Sequence, residues 1–281
     1  MKKFSYDSLK NREIRILSKN GSYLYTGDNY CNNKKNQGLL VAKLPEKENV
    51  YHVLLSSLEE KLCFNDYEYE LSQRQVDDEN FSTGQNFISH HQSEPVFSTF
   101  YYMGPFALKK EIILSDDKPA IFIKYSMLES IASTVIKLSP YLAFRNIFAL
   151  TQKTNFVNST IKLFEDGVAF KTNDDFPFLH MQISKFQDFI YNPKSNNSFN
   201  YHNNSTSVCE DLYTPGYFEM WLNQGESCIF TASLDKITDF ETVKSLFYSL
   251  KIEKINSEKN DKNELISNMR SKTRKPVYEY A

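Results

Sequence analysis

Arg145 and Asn146 are the residues whose types are not required by packing alone. They end the segment from Leu138 to Asn146, which has the pattern of a half-buried β-strand. A guanidinium beside an amide offers a planar array of donors suited to sugar hydroxyls or to a carboxylate. The pair therefore predicts a bound partner. The alternative is a buried ion pair in which Arg145 fixes the strand end to Glu210 or Asp211.

Acidic clusters are the second group that could do chemistry. Glu210-Asp211 precedes the aromatic segment Leu212–Phe218, so carboxylates and rings together could bind a sugar; a bend entering a strand is the alternative. The remaining clusters are typical of solvated loops or turn caps: Glu59-Glu60, Asp77-Asp78-Glu79 and Asp174-Asp175. Glycoside hydrolysis needs two carboxylates that the fold brings together, and no such pair is recognisable here. We predict no catalytic residue.

Local signatures of metal, cofactor and nucleophile sites are missing from the sequence. His90-His91 is a tandem pair without a second histidine at metal-ligand spacing, and the four cysteines show no close-spaced pair. There is no Gly-x-Ser-x-Gly turn and no glycine-rich phosphate loop. We therefore predict no metal and no cofactor.

Composition favours an all-β protein. The 281 residues are 15% aromatic and carry a formal net charge of -2, with 8 Gly and 9 Pro. Aromatic enrichment suits half-buried pleated surfaces, and the balanced charge predicts neither nucleic acid nor an anionic membrane as a partner. The polar segment Met1 to Arg15 has no apolar run of the signal-peptide kind, which predicts a cytoplasmic protein.

Short β-prone runs recur through the first 235 residues. One predicted strand has an apolar face formed by Ile121, Ile123, Tyr125 and Met127, and a second face formed by Phe122, Lys124 and Ser126. The segment Glu165-Asp166-Gly167 predicts a tight hairpin turn with positive backbone angles at Asp-Gly. A polar, Asn-rich loop is predicted from Ser195 to Ser207. The strand predictions are Leu39–Leu44, Tyr51–Leu58, Val96–Tyr102, Ala107–Leu114, Ala120–Met127, Ile161–Phe164, Val168–Lys171, Phe178–Ile183, Asp188–Tyr191, Tyr217–Leu222 and Ser227–Ser233. Together they predict a large antiparallel, supersandwich-like β-sandwich.

The pattern changes after Ser233. Thr238-Asp239-Phe240-Glu241 fits a capping box, and apolar residues from Phe240 to Leu250 recur at helical spacing. The lysine- and asparagine-rich stretch from Ile255 to Lys275 is typical of a solvated helix or linker. We therefore predict a sandwich domain over residues 1–235 and a helix with linker over residues 236–281.

Five segments also carry a family resemblance: Leu17–Tyr23, Gly38–Ala42, Val53–Glu60, Leu142–Asn146 and Glu210–Glu219. In their types and order, from about Ile14 to about Ser233, they resemble the N-terminal domain of bacterial and archaeal glycogen debranching enzymes of the amylo-alpha-1,6-glucosidase type. The resemblance implies a β-sandwich that packs against an (α/α)6 barrel in the same longer chain. That barrel, absent here, would provide the hydrolytic carboxylates.

The chain departs from this family just before Leu39. The family usually reads Thr-Arg-Arg/Lys-Tyr-His-Gly, whereas this chain has Asn33-Lys34-Lys35-Asn36-Gln37-Gly38. Lysine lacks the bidentate fork of arginine, and amides replace a stacking ring and an imidazole. If the segment contacts glucan in relatives, it should bind glucan differently or more weakly here.

The resemblance implies that the domain assists recognition of an α-glucan such as glycogen or limit dextrin. The residues expected to contact sugar are Arg145, Asn146, Tyr217, Lys35, Gln37, Glu210 and Asp211. Two other hypotheses remain open: a standalone glucan-binding or regulatory module, and a scaffold whose apolar face only docks the barrel.

Overall fold

The computed structural model describes residues 13–73, 83–184, 188–203, 206–237 and 239–273. Sixteen strands and one long helix occur in these ranges. They are β1 Glu13–Leu17, β2 Tyr23–Gly27, β3 Gly38–Leu44, β4 Val50–Phe64, β5 Tyr67–Glu70, β6 Ile88–Gln92, β7 Phe97–Met103, β8 Phe106–Leu114, β9 Ala120–Glu129, β10 Thr134–Asn146, β11 Thr160–Phe164, β12 Gly167–Lys171, β13 Leu179–Ile183, β14 Asp188–Asn203, β15 Thr206–Leu222, β16 Ser227–Ser233 and α1 Phe240–Thr273. Short 3-10 turns lie at Pro45–Lys47, Gly84–Phe87 and Lys153–Phe156.

The strands form two antiparallel sheets packed face to face. Sheet 1 has the order β1-β2-β3-β4-β10-β15-β14, with β5 also paired to β4. Sheet 2 has the order β11-β12-β13-β16-β9-β8-β7-β6. The predicted all-β sandwich is confirmed.

Strand alternation places the main apolar core between the two sheets. Ile121, Ile123 and Tyr125 of β9 point into it and are fully buried, opposite Leu138 and Leu142 of β10. Each such side chain contributes roughly 1.5–3 kcal/mol on burial, so this core supplies most of the stabilisation of the sandwich. The predicted period-2 pattern of β9 is thereby confirmed.

The predicted hairpin joins β11 to β12, but its glycine has a different role from the one expected. Phe164 pairs with Gly167, so Glu165 and Asp166 form the turn. Gly167 is not among the residues with positive φ. A Cβ at this position would lie 2.2 Å from the carbonyl oxygen of Met181 on β13. Close approach of two backbones, rather than a left-handed turn, therefore requires glycine here.

The predicted Asn-rich loop from Ser195 to Ser207 is wrong. β14 continues to Asn203 and β15 begins at Thr206, so most of this polar segment is paired backbone. Asparagine is depleted in strands, but the ladder of hydrogen bonds with a long partner strand outweighs that local preference. Two register shifts, between Tyr191 and Asn197, interrupt the pairing.

Helix α1 covers part of the outer face of sheet 2. Val243, Phe247 and Leu250 pack against Phe122 and Ile229 in a second apolar cluster. Its cap lies one residue later than predicted: Asp239 Oδ1 accepts a hydrogen bond of 2.8 Å from the amide of Thr242. Thr238 lies outside the described residues. The helix alternative for the lysine-rich stretch is confirmed as far as Thr273.

Candidate functional site

Sheet 1 has one face against sheet 2 and a second face that points away from it, which we call the outer face of sheet 1. This outer face carries a small apolar cluster of its own. Its buried members are Val41, Val53, Tyr141, Ala143 and Leu212. They alternate along their strands with residues of the main core, so they point away from sheet 2. Partly buried tyrosines border this cluster, and the predicted Arg145 lies beside it in register with Val53.

Arg145 forms a buried ion pair with Glu210. The guanidinium donates through Nε and Nη2 to both carboxylate oxygens, the second contact at 2.9 Å, and Nη1 donates to the carbonyl of Asn146 at 3.2 Å. Arg145 is 5% exposed and Glu210 1% exposed. The sequence left two partners open for Arg145, a sugar or a carboxylate. The carboxylate is confirmed, because Glu210 accepts hydrogen bonds from two nitrogens of the guanidinium.

The same carboxylate fixes the chain that follows β10. Glu210 Oε1 accepts from the amide of Thr151 at 2.9 Å, and the Thr151 hydroxyl donates to the carbonyl of Ala143 at 2.9 Å. Asp211 accepts from the amide of Lys153 at 3.3 Å. Glu210 and Asp211 lie within β15, so the prediction of a bend entering a strand is wrong. Both carboxylates connect β15 to this neighbouring chain segment.

The backbone that follows Asn146 contacts the strand of Tyr51, one of a pair of tyrosines. The Asn146 Oδ1 accepts from the amide of Phe148 at 2.9 Å, while the amide of Ile147 donates to the carbonyl of Tyr51 at 3.1 Å. The rings of Tyr51 and Tyr23 are 5.4 Å apart and tilted by 59°. Burial raises the pKa of Tyr23 to about 12, and the Arg145 charge opposes that rise. Arg145 therefore lies within electrostatic reach of this tyrosine pair.

The loop that departs from the family pattern borders the same tyrosine pair. The Tyr23 hydroxyl donates to the carbonyl of Asn36 at 3.1 Å. Gln37 is fully buried, and its Oε1 accepts from the amides of Asn33 at 2.6 Å and Lys34 at 2.9 Å. Gln37 therefore shapes the loop from inside, whereas Lys35 is half-buried at its surface.

Lys34 contributes to a charged cluster at the edge of sheet 1. Its Nζ donates to Glu13 at 2.6 Å, as does the Tyr25 hydroxyl, and Arg15 pairs with the same carboxylate at 2.6 Å. Hydrogen bonds from Lys34, the largest cause, and from Tyr25 lower the pKa of Glu13 from 4.5 to about 2. The cluster thus holds a carboxylate that stays ionised in moderate acid.

We expect the stability contributed by Glu13 to be lost as the pH falls from 4.5 towards 2. In this range the unfolded chain binds a proton that the folded protein does not, so acid favours unfolding. The urea midpoints of the natural protein and Glu13→Gln should differ at neutral pH and converge near pH 2. The difference is small because these ion pairs are solvated. A difference independent of pH would contradict this assignment.

Tyr217 is remote from the other predicted site residues. Its neighbour Phe218 pairs with Leu138, seven positions along β10 from Arg145. The Lys137 ammonium lies 5.9 Å from the centroid of the Tyr217 ring. The structure brings Arg145, Glu210 and Asn146 together, and it leaves Tyr217 in a separate group.

A charged network between these two groups was missed from sequence. The Tyr141 hydroxyl donates to Glu59 at 2.6 Å, and Lys61 lies 3.7 Å from Glu59 and 3.0 Å from Glu68. The interpretation of Glu59-Glu60 as a loop or cap is wrong, because both residues lie in β4. Of the other acidic clusters, Asp174-Asp175 is exposed outside the strands, and Asp77-Asp78-Glu79 lies outside the described residues.

Because side chains alternate between the two faces of β4, Glu60 points into the core and Glu59 points outward. Glu60 pairs with Lys110 of sheet 2 at 2.6 Å and accepts a hydrogen bond from Tyr125; all three are buried. The Lys110 ammonium also lies 3.3 Å from the centroid of the Tyr30 ring. Burial lowers the pKa of Lys110, and the Glu60 carboxylate opposes that shift. This ion pair joins the two sheets, and no local sequence signal distinguishes Glu60 from its solvated neighbour.

Within the described ranges, no cluster of three or more potential ligands suits a metal ion. No helix in that part of the chain has the length and apolar character needed to cross a membrane.

Comparison with known families identifies the domain. The family described as glycogen debranching enzyme N terminal matches residues 12–229, which include every predicted sugar-contact residue. The chain belongs to this family. The match covers all strands of both sheets except part of β16, so the family region coincides with the sandwich. No curated protein sequence matches the chain.

Among solved structures, parts of two larger proteins match this chain at low similarity. A bacterial glucoamylase complexed with acarbose has 8% sequence identity and a TM-score of 0.41, covering 74% of this chain and 31% of that one. A polysaccharide lyase has 10% identity and a TM-score of 0.33, covering 80% of this chain and 33% of that one. The domain thus spans about a third of the length of either protein.

Proposed function

We propose that this debranching-enzyme N-terminal domain assists recognition of an α-glucan such as glycogen or limit dextrin. The observation that carries the proposal is the family match over residues 12–229. In the proposed arrangement the sandwich packs against a catalytic (α/α)6 barrel of the same longer chain, in the cytoplasm. Hydrolysis belongs to that barrel.

The outer face of sheet 1 is the surface we assign to sugar. The partly exposed rings of Tyr23 and Tyr51 offer apolar faces, and the loop that carries Lys35 borders Tyr23 through the carbonyl of Asn36. Asn146, at the end of β10, is assigned as a further polar contact. Tyr217 extends this face at a distance. In this assignment Arg145, Glu210, Asp211 and Gln37 act mainly by fixing the strand ends and loops that present the contact residues.

Removing one ring from this face tests the proposal. Tyr51→Ala should weaken binding of maltoheptaose and glycogen by up to about tenfold, because one stacking contact is lost. Titration calorimetry measures the affinity, and circular dichroism checks that the variant remains folded. Tyr102→Ala is the matched control, since Tyr102 is a 50% exposed tyrosine on sheet 2.

The outcome separates glucan recognition from a docking scaffold. Binding that falls in Tyr51→Ala but not in Tyr102→Ala supports glucan recognition, either within a longer enzyme or as a standalone module. Equal loss in both variants, or no affinity of the natural chain for either saccharide, overturns the assignment and favours a docking scaffold.

A further inference from the structure

A cluster of cations lies on the outer face of sheet 2, beside the strip that α1 covers. His180 alternates with Leu179 and Met181, which point into the main core, so its ring lies on the opposite face. The register of β11, β12 and β13 aligns Lys162, Ala169 and His180 in one row across that face. Ala169, between the lysine and the imidazole, is small and buried.

Three lysine ammonium groups lie over two phenylalanine rings beside this row. The Phe178 ring centroid is 4.4 Å from Lys162 Nζ and 5.0 Å from Lys171 Nζ. The Phe164 ring centroid is 4.4 Å from Lys236 Nζ. The His180 ring lies between them, with centroid distances of 6.3 Å to Phe178 and 6.2 Å to Phe164. Cation–π contacts restrict the lysines and position their charges in advance.

The charges of this cluster are poorly balanced by carboxylates. Lys171 pairs with Asp174, which is itself solvent-exposed; within the described residues Lys162 and Lys236 form no salt bridge. Asp235 pairs with Lys118 at 2.9 Å, and its charge also acts on His180. Like charges held close together repel, and an anion placed between them relieves that repulsion. This local excess of positive charge exists in a chain whose formal net charge is -2.

We propose that the surface formed by Lys162, Lys171, His180 and Lys236 binds a phosphate group, either free or as a monoester on a sugar. A phosphate dianion presents several outer oxygens, so it can accept hydrogen bonds from more than one ammonium group at once. The His180 imidazole hydrogen-bonds the backbone of Leu234 and Ser233, and burial lowers its pKa, so the lysines supply the donors and the ring reports on the site. The partly exposed rings of Phe164 and Phe178 provide apolar contact for the carrier of the ester.

The site is separate from the proposed glucan surface, because the two lie on different sheets. Nuclear magnetic resonance titrations of the full chain with inorganic phosphate, glucose 1-phosphate and a phosphorylated maltodextrin, against chloride at equal ionic strength, test it. We expect saturable shifts of the His180 ring resonances. The double variant Lys162→Gln with Lys236→Gln should raise the Kd at least about tenfold. Both side chains are exposed, so the fold should tolerate these changes.

Lys43→Gln is the matched control, since Lys43 also lies over a ring, 5.0 Å from the centroid of Tyr51, but on sheet 1. Its Kd should stay within about twofold of the natural value, because screening confines each lysine to local effects. Equal affinity for phosphate and the esters supports a free-phosphate site; tighter ester binding supports recognition of the carrier as well. No saturable shift with any probe, or an equal loss in Lys43→Gln, overturns the proposal. Unphosphorylated glycogen tests the sheet 1 surface independently.

Discussion

Replacing Arg145 with alanine should lower the free energy of unfolding by about 3–5 kcal/mol, because it leaves the Glu210 carboxylate buried without its cation. Glu210 is 1% exposed and also orients Thr151, so the loss should extend to the chain segment after β10. Urea unfolding followed by the fluorescence of the single tryptophan, Trp221, measures the effect.

Two further variants make this result specific. Arg145→Met combined with Glu210→Leu removes both charges and should recover much of the lost stability, since a buried ion pair is often replaceable by apolar residues. Arg15→Ala breaks a solvated pair at the sheet edge and should have far less effect. If Arg145→Ala were no more costly than Arg15→Ala, the ion pair would not have the structural role described here.

Lys110→Met should be comparably destabilising, by about 3–5 kcal/mol, for the same physical reason at a different place. Lys110 is 1% exposed and crosses from sheet 2 to Glu60 of sheet 1. Without the ammonium, Glu60 keeps only neutral donors such as the Tyr125 hydroxyl, and its charge is poorly compensated. Thermal and urea unfolding should both show the loss.

The adjacent Lys109 provides the control. Its side chain is 24% exposed and pairs with Glu111, so Lys109→Met should cost much less. Combining Lys110→Met with Glu60→Leu should restore stability relative to Lys110→Met alone. A double variant less stable than Lys110→Met would show that Glu60 does not depend on this lysine.

Most of the fold was predictable because strand signals are local. The alternation of Ile121, Ile123 and Tyr125 identified β9 and its inward face, and the segment Glu165-Asp166-Gly167 located the β11–β12 hairpin. The prediction failed where pairing outweighed composition, as in the Asn-rich ends of β14 and β15. Gly167 was predicted as part of the hairpin segment. Its contact with the backbone of Met181 was not predictable, because Met181 lies in a different strand and gives no local signal.

The sequence by itself determined the all-β class, the helix after the strands, the family resemblance and the choice of Arg145 as a residue that needs a partner. Only the tertiary structure decided that this partner is Glu210, 65 residues away, and that neighbouring Glu59 and Glu60 lie on opposite faces of β4. Periodicity and turn chemistry depend on residues a few positions apart, whereas the partner of a buried charge depends on which strands become neighbours.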